Sequence, residues 1–152
     1  MTNLINKFIG LMNTSFVESI ALLIARFALG GIFWRSATSR MEEGSWTTLS
    51  EGALYQFSDA PFNNVPVING DFGAYFTTYT ELTVAILLFL GLATRFSALA
   101  TIGMALVIQI FVFPTFAHLW ATVALWAAVA FFLVIRGGGV LSLDKLLGNK
   151  LG

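Results

Sequence analysis

The sequence contains no cysteine, and only 11% of its 152 residues are charged. Without cysteine there is no disulfide, no thiolate nucleophile, no cysteine-ligated iron–sulfur cluster and no covalent haem attachment. So few charges cannot coat a water-soluble surface, since an ordinary soluble domain carries about 25% charged residues. The eight basic and eight acidic residues balance to a formal net charge of zero, which leaves no basic footprint for nucleic acid. Histidine occurs once, as His118, so one chain cannot build a multi-histidine metal site. No metal centre is expected, and the chain carries no haem, flavin or iron–sulfur signature of its own.

What is abundant is apolar residues. They make up 57% of the chain, and the mean hydropathy is +0.83. They fall into four runs, roughly 17–37, 74–93, 96–113 and 117–135. Each has about the 17–25 residues that a helix needs to cross a bilayer. Strands seldom exceed about ten residues, so these runs predict helices. Only Thr94 and Arg95 clearly separate the second run from the third, and Pro114–Thr115–Phe116 separates the third from the fourth. Connections that short impose antiparallel neighbours. The expected fold is all-α, a membrane-spanning four-helix bundle forming a single domain over 1–152. A long outer loop, roughly 38–73, joins the first two helices. That loop holds two of the three prolines and most of the acids. It also holds Trp46, Leu49, Leu54, Tyr55, Phe57 and Phe62, too much apolar surface for a disordered linker.

The first run does not read as a cleaved signal peptide, because a polar stretch with Lys7 and Glu18 precedes its apolar region, Arg26 interrupts it and no small-residue cleavage site follows cleanly. The stretch Asn3–Phe16 is expected to lie along the membrane surface. Lys7, Arg95, Arg136, Lys145 and Lys150 fall on one side of a four-span topology, and Arg35 and Arg40 on the other. Positive residues favour the cytoplasm, so both termini are expected there, in a bacterial inner membrane. The Gly-rich run RGGGV, Arg136–Val140, lacks the spacing of a phosphate loop and reads as a helix stop. After it, Ser142 is a candidate cap for a short helix in SLDKLL.

Arg26 lies inside ALLIARFALGG, about 12 Å from the inner end of its helix at 1.5 Å per residue. Glu81 lies about 10 Å from the outer surface on the second helix by the same rise. Within a hydrocarbon layer about 30 Å thick, their backbones then differ in depth by roughly 8 Å, a gap that two long side chains can span. An intramembrane ion needs a partner or a wet cavity. The expectation is an Arg26–Glu81 pair at the floor of a polar pocket, with Gln109, His118, Thr77 and Thr78 as further candidate lining. Arg35 and Arg40 are candidate anion contacts, Arg35 reading more readily as an interfacial anchor. No catalytic residue can be named. The bland alternative is that the pair only fixes helix register.

The segments ARFALGGIFWRSATSR, TELTVAILLFLGLATRFSAL and RGGGVLSLDKLL, taken in order, resemble the DoxX family of small four-helix membrane proteins. In that resemblance Arg26 matches the helix-one arginine, Glu81 the helix-two glutamate, and Leu90–Arg95 the G-L-x-T-R turn. Gly137–Gly138–Gly139 stands where many members have G-P-G before S-L-D. The family name derives from a subunit of a thiosulfate:quinone oxidoreductase, and other relatives are associated with oxidative- or metal-stress systems. The resemblance implies a membrane subunit of a redox or stress-response system that offers a pocket for quinone or a small anion. It also implies a protein partner or homo-oligomer. The competing reading is a non-catalytic scaffold that recruits a partner through the outer loop, or a small transporter. No internal repeat or mid-span break supports the transporter.

Overall fold

The computed structural model describes Asn6 and residues 14–148. Among these are four helices long and apolar enough to cross a membrane: α1 (Ser15–Thr38), α3 (Gly70–Leu90), α4 (Thr94–Val112) and α5 (Phe116–Arg136). Two shorter helices, α2 (Glu51–Ser58) and α6 (Leu143–Leu146), lie at opposite ends of the bundle. The expected surface stretch Asn3–Phe16 falls, up to residue 13 and apart from Asn6, outside the described residues. Thr14 caps α1 by accepting from Val17 N, and Glu18 sits in its first turn.

The spans pack through Leu22, Leu29 and Phe33 of α1, Val84, Ala85 and Leu88 of α3, Ala98 of α4, and Ala130 and Leu133 of α5. Their outward faces keep Ile24, Phe27, Ile86, Leu99, Leu106, Leu125 and Phe131 exposed. Such faces are stable only in an apolar solvent. The α1–α3 register is set by Gly30. A Cβ there would lie 2.8 Å from the Phe89 ring and 3.3 Å from the Ala85 carbonyl, so the missing side chain lets two backbones close up.

That register corrects the expected Arg26–Glu81 pair. Arg26 is fully buried, and it lies one turn from Gly30, beside the end of α3. Its Nη1 donates to the carbonyls of Leu88 (3.3 Å) and Phe89 (3.5 Å), and its Nη2 donates to Leu141 O (2.6 Å). Glu81 is seven residues back along α3, about 10 Å at 1.5 Å per residue. The expectation measured each depth from its own run end and took the two helices to be level. Instead α3 stops at Leu90 rather than 93, and Arg26, in the middle of α1, lies beside that stop. The stop is a Schellman turn: Gly91 takes φ +65°, Leu92 N donates to Leu87 O, and Gly91 N to Leu88 O. A guanidinium suits the carbonyls left at a helix C-terminus, where the macrodipole is negative.

The same turn carries the opposite arrangement on its far side. Asp144 accepts from Ala93 N (2.7 Å), Thr94 N (2.9 Å) and Thr94 Oγ1 (2.7 Å), placing a buried carboxylate on the N-terminus of α4. Asp144 N in turn donates to Gly91 O (2.9 Å). The expected stop after Arg136 holds, with Gly137 at φ +73°. Ser142 caps α6 through Lys145 N, and Val140 N donates to Ser19 Oγ on α1. Two stretches with no chemical appearance in the sequence, LGLATR and GGGVLSLD, therefore dock onto each other and onto Arg26.

At the other end, residues 39–69 fold back on the bundle. Leu49, Ala53 and Phe57 pack on Ala74. Tyr79 Oη donates to the Thr47 carbonyl (3.1 Å), and the rings of Trp46 and Trp34 meet at 5.9 Å.

A Cβ at Gly91 would overlap the Arg26 guanidinium. Gly91→Ala is therefore expected to lower stability by at least about 2 kcal/mol, combining left-handed strain with displacement of the guanidinium. Gly103→Ala, in open space within a helix, should be neutral or stabilising by up to about 1 kcal/mol. Thermal denaturation in detergent compares the two, and equal losses would refute this account of the turn.

Candidate functional site

Arg40 lies just beyond α1, where the chain is still held in place. Its N–H donates to Ala37 O (3.2 Å), and its carbonyl accepts from Ser50 N (2.9 Å) next to the Met41–Leu49 bridge. With the backbone pinned, the side chain turns back into the bundle. Ser36, one helical turn earlier, accepts from Nη2 at 2.7 Å, and Thr78 accepts from Nη1 at 3.1 Å. Both oxygens of Glu81 accept from Nη2 at 3.0 Å. Thr78 and Glu81 are three residues apart on α3 and so share a face. The Arg40 guanidinium also sits 5.4 Å from the centre of the Phe57 ring, within cation–π range.

This ion pair is well withdrawn from solvent. The Glu81 side chain is 4% exposed and that of Arg40 is 12% exposed. It forms one wall of a cavity of about 350 Å³. The remaining walls are mainly apolar: Ile32 and Phe33 of α1, Phe76 of α3, Met104, Val107, Ile108 and Val112 of α4, and Trp126 of α5. The loop contributes Phe57, Phe62, Val65 and Ile68 as a roof. Thr77, Thr80 and His118 add polar groups.

The chain widens on two sides of this cavity. Phe113 N donates to Ile108 O, and Ala124 N to Leu119 O, five residues back in each case. These π-type turns flank Pro114, where α4 and α5 meet, and such turns recur at functional sites. Thr115 Oγ1 caps the start of α5 by accepting from His118 N (3.2 Å). The imidazole packs on Phe113 with centroids 5.0 Å apart. Its Nε2 is buried and has no hydrogen-bond partner among the described residues, and other parts of the same residue line the cavity.

The sequence candidates separate accordingly. Glu81, His118, Thr77 and Arg40 line the cavity. Thr78 lies behind the wall and orients Arg40. Gln109 does not line it: its Nε2 donates to Thr115 O (3.1 Å), bracing the α4–α5 connection, and its Oε1 is buried with no partner among the described residues. Arg35 is exposed and Arg26 is at the opposite end of the bundle, so neither lines the cavity. Ser36, Phe57 and Trp126 were not anticipated as lining. Arg40 as the partner of Glu81 was detectable in principle. It follows Arg26 by fourteen residues, about four helical turns, and so continues the buried stripe of α1.

A larger recess of about 530 Å³ opens at the other end of the bundle, near Ser15, Glu18, Arg136 and Ser142. Most of its polar groups are already engaged: Glu18 pairs with Arg136 (3.1 Å), and Ser19, Ser142 and Asp144 bond the backbone around them. The smaller, better-enclosed cavity is the stronger candidate despite its size. Among the described residues, no group of three or more His, Asp or Glu side chains converges to hold a metal ion.

The family model for DoxX matches residues 21–115, more than half of the chain, from α1 through the end of α4. Arg26, Arg40 and Glu81 fall inside the match, whereas His118 and Asp144 lie beyond it. No curated protein and no solved structure gives a match.

If Arg40 and Glu81 act as a pair, Arg40→Met and Glu81→Gln should be non-additive with a coupling of about 1–3 kcal/mol. Arg26→Met and Glu81→Gln should instead add within about 0.5 kcal/mol. Denaturation of the three single variants and the two double mutants measures both couplings. Coupling of Glu81 to Arg26 rather than to Arg40 would refute the assignment.

Proposed function

On the premise that the chain belongs to the DoxX family, whose match and four apolar spans make it an integral membrane protein, we propose that it is the membrane subunit of a redox or stress-response system. In this reading it supplies a quinone-binding pocket to a partner enzyme. The observation that carries the proposal is a buried ion pair on the wall of a mainly apolar cavity that His118 also lines. Ligand pockets typically span about 300–1,000 Å³ and combine apolar walls with a few polar groups. A quinone ring has flat apolar faces and two carbonyl oxygens that need hydrogen bonds, which matches this lining.

The chemistry assigns limited roles to the chain. Reduction of a quinone to a quinol takes two electrons and two protons. In this reading the electrons come from the partner, since the sequence carries no haem, flavin or iron–sulfur signature. Arg40 and His118 line the cavity and can offer N–H groups to a carbonyl oxygen, and Glu81 supplies a buried carboxylate beside it. Arg40 also neutralises Glu81, so a buried carboxylate can be held beside an apolar ligand.

The proposed location is a bacterial inner membrane with both termini cytoplasmic. The loop side has Arg35 and Arg40 near the end of α1. The other side collects Lys7, Arg95, Arg136, Lys145 and Lys150, and this asymmetry supports the orientation. Cysteines introduced singly at Ser58 and Lys150 should then label from opposite faces of intact cells, with Ser58 outside. Labelling of both from one face would exclude the topology.

Quinone binding is testable through Trp126, which lines the cavity. In protein with Trp34, Trp46 and Trp120 replaced by Phe, a decyl-tailed benzoquinone should quench Trp126 fluorescence saturably. His118→Phe should weaken binding about tenfold, or ~1.4 kcal/mol. Non-saturable quenching, or equal affinity in the variant, would remove the quinone reading.

A further inference from the structure

We infer that the cavity is entered sideways from the bilayer, between α3 and α4, by a lipophilic molecule with one hydrogen-bonding head. The tight turn after Leu90 joins these two helices at one end. The cavity draws on Phe76–Glu81 of α3 and on residues 104–113 from α4 onward, well away from that turn. It therefore occupies the wedge between the two helices at their free ends.

Exposure identifies the open side. Among the described lining residues, those exposed are Phe76 (48%) and Phe113 (40%). Both belong to, or directly follow, spans whose outward faces meet lipid. The side toward water is shut. Phe57 and Val65 are buried in the roof, the Phe57 and Phe62 rings meet at 5.1 Å, and Phe62 meets Phe113 edge-on at 6.1 Å. Entry through the roof would separate Phe57 from the Arg40 guanidinium and from the cluster it forms with Leu49, Ala53 and Ala74. Entry between the helices requires that the exposed Phe76 and Phe113 rotate, which parts Phe113 from Phe62 but leaves the buried Phe57 cluster intact. Such rotations take picoseconds to nanoseconds, whereas local unfolding of a packed segment takes microseconds or longer.

The polarity of the ligand follows from the path. A molecule passing Phe113 meets the imidazole packed on that ring, whose Nε2 lacks a partner. Beyond it the walls are apolar as far as the Arg40–Glu81 pair. A head with a hydrogen-bonding oxygen satisfies His118, and an apolar tail can remain between the phenylalanines in the bilayer. A small aqueous anion has neither the route nor the tail. The access route holds for any such amphiphile and goes beyond the quinone reading.

The absence of cysteine makes the route directly measurable. A single cysteine at Val107, on the cavity wall, would be exposed in lipid nanodiscs to two thiol reagents of the same chemistry. One is benzyl methanethiosulfonate, which dissolves in the bilayer; the other is the charged trimethylammonioethyl methanethiosulfonate, which stays in water. With rates normalised to a cysteine at Thr47 in the loop, the benzyl reagent should react at least about tenfold faster, because it partitions into the bilayer. Phe113→Ala should accelerate it further, while Phe57→Ala should leave its rate unchanged. The inference is overturned if the charged reagent is as fast, if neither reagent reaches position 107, or if Phe57 rather than Phe113 controls the benzyl rate. A benzyl reagent that still passes Phe113 in a protein that binds no quinone would sustain the portal and remove only the quinone.

Discussion

A helical hairpin in a bilayer leaves two helix ends side by side with no water to satisfy them, and the bundle is organised around that constraint at Leu90–Thr94. Several carbonyls at the end of α3 and several N–H groups at the start of α4 lack intrahelical partners. Part of the need is met locally by the Schellman bonds to Leu87 and Leu88. The rest is met by side chains from far along the chain. Arg26 brings a cation to the negative end of one helix, and Asp144 brings an anion to the positive end of the next. Each charge is buried, and each is matched to a dipole end as well as to individual hydrogen bonds. Arg26 and Asp144 lie 118 positions apart in the sequence, so this one turn ties α1, α3, α4 and the C-terminal segment together.

With one end of the bundle closed in this way, the other end is free to diverge. The two ends use α1 differently. At its middle, Arg26 supplies a structural cation; just past its finish, Arg40 supplies a cation that borders empty space. Both are partnered, but by different chemistry. Backbone carbonyls suit a guanidinium at a helix terminus. Mid-helix on α3 the carbonyls are already used by the helix itself, so the acceptors there must be side chains, namely Glu81 and Thr78. The long connection between α1 and α3 then pins Arg40 and roofs the cavity with the same short helix.

The junction of α4 and α5 contributes the remaining irregularity. Each π-type turn carries an extra residue relative to the α-helical ladder, which shifts side chains around the axis. That shift accompanies the placement of Val112 and His118 on the cavity wall. Gln109 braces the connection through the Thr115 carbonyl. The irregular backbone thus lies beside the cavity, away from the well-packed middle of the bundle, as expected where a membrane protein must satisfy displaced backbone groups internally.

How much of this was legible in the sequence follows from the range of each interaction. Apolar run length fixed the four spans and their all-α character, because crossing a bilayer is a one-dimensional requirement on consecutive residues. The stop after Arg136 and the Ser142 cap were readable for the same reason, being decided within a few residues. The family resemblance likewise rested on linear motifs. Glu81, His118, Thr77 and Arg40 could be singled out as polar residues in an apolar chain, but their partners could not. Pairing Arg26 with Glu81 assumed a register, and register depends on how closely α1 and α3 approach at Gly30 and on α3 ending at Gly91. An offset of seven residues, about 10 Å along a helix, was enough to exchange a carboxylate partner for carbonyls. The tertiary structure alone decided that Arg40 takes Glu81 and that Asp144 reaches the α4 terminus. These contacts join segments distant in sequence, and only packing sets their relative height.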